Sequence, residues 1–209
     1  MIDKIADFFL LFSQIEVVLP LLMIGFLWLN RALFFQTACV SAFDLITNVA
    51  LKISFQGPVS FFHKIDFSFP SGHMQFVIVV YVWIAYHVSS KRLWAAVVLV
   101  LFGVGMGLIH YDFHDVYDVL GGVLFGVGLI AGYRYVLLHW AKQAPWLFLV
   151  LASMLMVYNG FMYAQIPSHA WMAYRILVGI IVFERLVYTY EGKSVYWNPL
   201  KPGHFLKHV

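Results

Sequence analysis

The sequence predicts an all-α protein, a polytopic bundle of membrane helices forming a single domain over residues 1–209. Three observations lead there. Hydrophobic residues fill 63% of the 209 positions and charged ones only 11%, so a soluble fold would lack the polar surface to cover itself. The apolar residues gather into runs near the roughly 20 residues a helix needs to cross a bilayer. Between the runs stand short polar islands, and with no water in the bilayer core only structures that bond their own backbone can span it.

In chain order, residues 2–13 form a short amphipathic stretch, expected to lie in the membrane interface. Apolar spans follow at about 15–30, 32–54, 72–89, 93–110, 117–139, 145–163 and 170–189, giving six to seven transmembrane helices. The tail from Glu191 is polar and rich in turn residues (Trp197-Asn198-Pro199, Lys201-Pro202-Gly203), so it is expected outside the membrane. Asp3 and Asp7 precede the first span and no small-residue cleavage pattern appears before Glu16, so the first spans are expected to direct insertion themselves. Gly103-x3-Gly107, Gly122-x3-Gly126 and Gly128-x3-Gly132 have the small-x3-small spacing that lets membrane helices approach closely.

Charge sets the orientation. Alternating spans put Arg31, Lys91, Arg92, Lys142, Lys193, Lys201 and Lys207 on one face, against Lys4, Lys52 and Lys64 on the other. The positive-inside rule makes the first face cytoplasmic. The expectation is a multi-pass protein of a bacterial inner membrane whose 55–70, 110–117 and 164–169 segments face outward. A net charge of +3 without a basic stripe argues against a nucleic-acid partner. Cys39 is the single cysteine, which excludes an internal disulfide.

Two polar islands carry the chemistry. Phe69-Pro70-Ser71-Gly72-His73 stands where a loop turns into a span. Pro70 suits a rigid approach and Ser71 is a good N-cap. The unpaired N–H groups of such a helix start cradle an anion such as phosphate, and His73 in the first turn is placed to give a proton to a leaving oxygen. The second island is His110-Tyr111-Asp112-Phe113-His114-Asp115-Val116-Tyr117-Asp118. His114 and Asp118, four residues apart, share a face if the helix begins near Asp112. A carboxylate behind a histidine fixes its tautomer and supports the charge that develops when the other nitrogen attacks. Asp44, Asn48 and Lys52 fall at i, i+4 and i+8, a polar ladder aimed at the same face.

Phe-Pro-Ser-Gly-His, followed about forty residues later by His-x3-Asp-Val-Leu-Gly-Gly, resembles the type 2 phosphatidic acid phosphatase (PAP2) superfamily over residues 50–125. The resemblance extends to a core of about 32–140, with extra helices over about 145–189. It implies a metal-independent, cofactor-free reaction through a phosphohistidine, with a phospholipid or polyprenyl phosphate as substrate. His114 would be the nucleophile, Asp118 its orienting partner and His73 the general acid. Ser71, Gly72 and Lys52 would bind phosphate.

The family pattern has arginine seven residues after Lys52 and again six before His114, preceded by serine. This chain has Val59 beside Pro58, and Leu108 preceded by Gly107. No apolar side chain replaces a guanidinium on phosphoryl oxygens. His110, His63, Lys64, His169 and Arg175 are the candidates to do so, with His110 and Arg175 foremost among the substrate-binding residues. The departures leave open a lipid phosphotransferase or a silent lipid-binding relative. His110 and His114 with Asp112, Asp115 and Asp118 also permit a metal-cluster reading, and Asp44 with Lys52 a transport path.

Overall fold

A computed structural model describes residues 2–55, 68–191 and 196–203 of the chain, with the side chains of 187–191 excepted. His63, Lys64, Pro58, Val59, Lys193 and Lys207 lie outside the described residues. Among those residues the protein is all helix and turn, without strand. The elements are α1 (Ile2–Leu10, extended to Ser13 by a 3₁₀ turn), α2 (Ile15–Ile24, continued to Leu29 as a π turn), α3 (Arg31–Ser54), α4 (Gly72–Val88), α5 (Lys91–His110), α6 (Val116–Trp140), α7 (Ala144–Met162) and α8 (Ser168–Glu191). All seven expected spans are helical. Helices α3, α5, α6 and α7 are each long and apolar enough to cross a membrane. Helix α4 is shorter, with its middle, Ile78–Val82, wound as a π turn.

Helix starts follow local chemistry. The Asn30 side chain accepts from Leu33 N–H (2.9 Å), Ser71 from Met74 N–H (3.4 Å) and Ser90 from Leu93 N–H (3.4 Å), each satisfying a donor that the first turn leaves unpaired. Asp115 caps α6 in a reciprocal box with Asp118. This corrects the expected start near Asp112. Asp112 takes a left-handed conformation at φ 53°, so the chain turns there and the helix begins at Val116.

The segment 2–13, expected in the membrane interface, is helical and packs along α5. Phe9 fills the space that a side chain on Gly103 would occupy, and a Cβ at Gly107 would meet Leu10 at 3.1 Å. Ile2–Ser13 and Ile15–Leu29 meet at a 49° bend and together have the length and apolarity of a broken span or re-entrant loop. The expected glycine packing divides in the same way. A Cβ on Gly122 would come within 2.8 Å of the Ser71 carbonyl oxygen, and one on Gly126 within 2.7 Å of Ile78, whereas Gly128 and Gly132 meet nothing within 4 Å. The first two motifs are packing surfaces and the third faces outward.

The main core gathers α3, α4, α6, α7 and α8 around Ile46, Val79, Trp83, Tyr133, Phe148 and Leu177. Large apolar side chains such as Phe102, Leu124 and Phe161 remain exposed on the outside, as lipid-facing positions require. The tail folds back onto the start of α3. Gln36 donates to the Tyr196 and Asn198 carbonyls, both at 2.8 Å, and Trp197 is buried beside Phe35. Helix α3 therefore runs from the tail at one end to Lys52 at the other.

Candidate active site

Where α3 ends, α4 begins and α5 hands over to α6, the two polar islands come together. The joint is partly backbone: Ser71 N–H donates to the Asp118 carbonyl (3.0 Å). Helix α6 can approach that closely because Gly122 has no side chain to collide with Ser71. Gly72 is held as tightly, since a Cβ there would lie 2.8 Å from Asn48 Oδ1.

Asp118 is the hub. Its Oδ2 accepts from Asp115 N–H (3.2 Å) and lies 3.3 Å from His114 Nδ1. Ser68 Oγ donates to Oδ1 (3.3 Å). The His114 and Asp118 side chains keep only 9% and 5% of their surface exposed. A carboxylate only accepts, so Nδ1 carries the imidazole proton and Nε2 holds a lone pair. Burial pulls the His114 imidazole below its ordinary range, the Asp118 hydrogen bond opposes that, and the Lys52 charge pulls the same way as burial. The net pull favours the neutral imidazole of His114.

The loop holding His114 hangs from Leu108, whose carbonyl accepts from Phe113 N–H (3.1 Å) and His114 N–H (3.3 Å). The Leu108 side chain is buried with Met74, Val104 and Val119. The family pattern puts arginine here. In this fold that position points into an apolar core, so the departure is built into the packing.

Lys52, in the last turn of α3, is half-buried and within electrostatic reach of Asp118. His73, exposed on the first turn of α4, is within reach of both His114 and Lys52. Beneath them runs a buried amide chain. Gln75 Nε2 donates to Asp44 Oδ1 (2.7 Å), and Asn48 Nδ2 donates to Gln75 Oε1 (2.9 Å) and the Pro70 carbonyl (3.4 Å). The ladder on α3 is thus an interhelical brace under the Pro70–Gly72 turn.

Of the residues singled out in the sequence, the fold gathers His114, Asp118, His73, Lys52, Ser71 and Gly72. The Ser71 side chain is fully buried as a helix cap. His110 is turned away to α1, its Nε2 2.8 Å from Asp3 Oδ1, and the neighbouring Tyr111 hydroxyl donates to Asp7 (2.6 Å). Arg175 is exposed and lines an open depression formed by Ser168, Trp171, Met172 and Ile176 of its own helix. Neither joins the cluster. Sequence reasoning passed over Ser68 and Gln75, which are ordinary polar residues until their partners 50 and 31 positions away are known. Among the described residues no three His, Cys, Asp or Glu side chains converge as a metal centre needs.

Searches of curated proteins and of solved structures find no match. A scan against protein-family profiles matches the PAP2 superfamily over residues 27–146. That stretch contains α3 to α6 and every member of the cluster. With more than half of the chain matched and the motif residues assembled at one end of an all-α bundle, the chain belongs to the PAP2 superfamily, a family of phosphatase and phosphotransferase type.

Proposed function

We propose that this protein is a membrane-embedded lipid phosphatase that works through a phosphohistidine on His114, at the non-cytoplasmic surface. The observation that carries the reading is the shielded His114–Asp118 pair, with Nε2 unprotonated and His73 and Lys52 within electrostatic reach of the same spot. Nε2 attacks phosphorus as the bond to the lipid oxygen breaks. His73 gives its proton to that oxygen, and Asp118 stabilises the positive charge spreading over His114. In the second half His73 takes a proton from water, whose oxygen attacks phosphorus and releases phosphate and neutral His114. Lys52 draws the phosphoryl oxygens toward this site.

A lipid substrate is supported by a groove of about 460 Å³ along α2, α3 and α8, lined almost wholly by apolar side chains that include Leu22, Phe76, Met172, Ile176 and Ile180. Phe76, at the edge of the groove, lies one turn beyond His73, and the groove is taken as the seat of the hydrocarbon chain. The outward orientation rests on Arg31, Lys91, Arg92 and Lys142 at the opposite end of the bundle.

The test is a panel of phosphatidic acid, phosphatidylglycerol phosphate and polyprenyl diphosphate, offered to the purified protein with and without chelator. Phosphate release should survive the chelator and fall by several orders of magnitude in His114→Ala. Release that depends on added metal, or that His114→Ala leaves intact, overturns the reading. Phosphate transferred to an acceptor alcohol in place of water would identify a phosphotransferase with the same nucleophile.

A further inference from the structure

The family match ends at residue 146, so α7 (from Leu147 onward) and α8 are additions to the matched core. Yet these helices do not lie apart from the site. The Tyr158 hydroxyl of α7 lies 2.8 Å from Ser54 Oγ at the end of α3. The Tyr163 hydroxyl, in the α7–α8 corner, donates to the Val49 carbonyl (3.1 Å). Val49 and Ser54 flank Lys52, so the corner is fastened to the stretch of α3 that presents this lysine. Ala170, Ala173 and Leu177 are buried in the same core as Ile46 and Val49. Their spacing fixes the rotation of α8 about its axis, and the alanines allow a close approach to α3. With that rotation set, His169 in the first turn is left exposed at the site end and lies within electrostatic reach of Lys52.

We propose that His169 completes the phosphate pocket, binding with Lys52 the phosphoryl oxygens that arginines hold in the family pattern. The assignment rests on the phosphoryl reading above. Its grounds are that Leu108 is buried in apolar core, that His110 is engaged by Asp3 and that Arg175 stands further along α8 from the Lys52 end, in a depression lined by its own helix. An imidazole suits the place because it donates one N–H when neutral and two when protonated. The C-terminal hairpin thereby acquires a role in substrate binding, although it lies beyond the matched region.

Inorganic phosphate is the probe, measured on the full chain in detergent both as a competitive inhibitor of turnover and by calorimetric binding. His169→Ala should weaken phosphate about tenfold, the scale of one charge-assisted hydrogen bond, with an unchanged thermal midpoint. His169→Arg should restore or tighten binding. Phosphate affinity that His169→Ala leaves at the wild-type level overturns the assignment, as does a loss confined to Arg175→Ala. The two proposals fail separately. A protein that binds phosphate through His169 but turns over no lipid phosphate contradicts the enzyme and not the pocket, and turnover lost in His114→Ala but untouched by His169→Ala contradicts the pocket alone.

Discussion

Asp118 meets His114 and caps α6 with one carboxylate. As the third helical residue of α6 it closes the capping box with Asp115, and the same oxygen that accepts the Asp115 N–H meets His114. Asp118→Asn should therefore lower kcat by on the order of a hundredfold or more, because a neutral amide no longer supports the charge on His114. The pH profile gives a finer reading. In the proposed mechanism the neutral imidazole is the nucleophile, so kcat/KM should fall as acid protonates His114. Burial holds that acidic limb below the ordinary histidine value of about 6.5. Lys52 also lowers it and Asp118 raises it, so Lys52→Met should move the limb toward higher pH and Asp118→Asn toward lower pH. Steady-state rates across roughly pH 4–8, expected to shift in opposite directions for the two variants, check the assignment; a common shift would contradict it.

At the scale of elements, the glycines make the sharpest comparison. Gly122 and Gly128 sit on one helix with equal claims by sequence, but only Gly122 faces the Ser71 carbonyl. Gly122→Ala should destabilise the protein by about 1–3 kcal/mol through overpacking. Gly128→Ala should be neutral, or stabilising by up to about 1 kcal/mol. Thermal melts in detergent, followed by circular dichroism, separate the two. The same contrast shows what was legible beforehand. Helix positions were readable because apolar runs and polar breaks follow from the bilayer alone. The insertion of α1 was not, because a notch at Gly103 and Gly107 acquires meaning only with Phe9 and Leu10 in it. The meeting of His114, Asp118 and His73 was readable from spacing. The placing of His110 and Arg175 was not readable, because which way a helix faces is decided by its neighbours, here Asp3 for one and the buried Ala170–Ala173 face for the other.

Across the whole molecule, the bundle has two unlike ends. The Lys52, His73 and His114 cluster occupies one, and the α4–α5 turn at Lys91 with the returning tail around Trp197 occupies the other. Cys39, the one native cysteine, is buried, so introduced thiols can be read against a quiet background. Both Phe113 and Lys91 are exposed. Under the proposed orientation, a membrane-impermeant maleimide should label Phe113→Cys in intact cells and spare Lys91→Cys until the membrane is opened. The reverse pattern would turn the protein over.

The bond from Ser71 N–H to the Asp118 carbonyl joins the two motif segments with no side chain taking part. That makes it a reporter as well as a joint. Because it involves only backbone, its amide hydrogen can be followed by exchange with deuterium in any side-chain variant, active or not. Slow exchange at this one position signals that the islands are still docked. An inactive variant with Ser71 still protected has lost chemistry, and one with Ser71 exchanging freely has lost assembly.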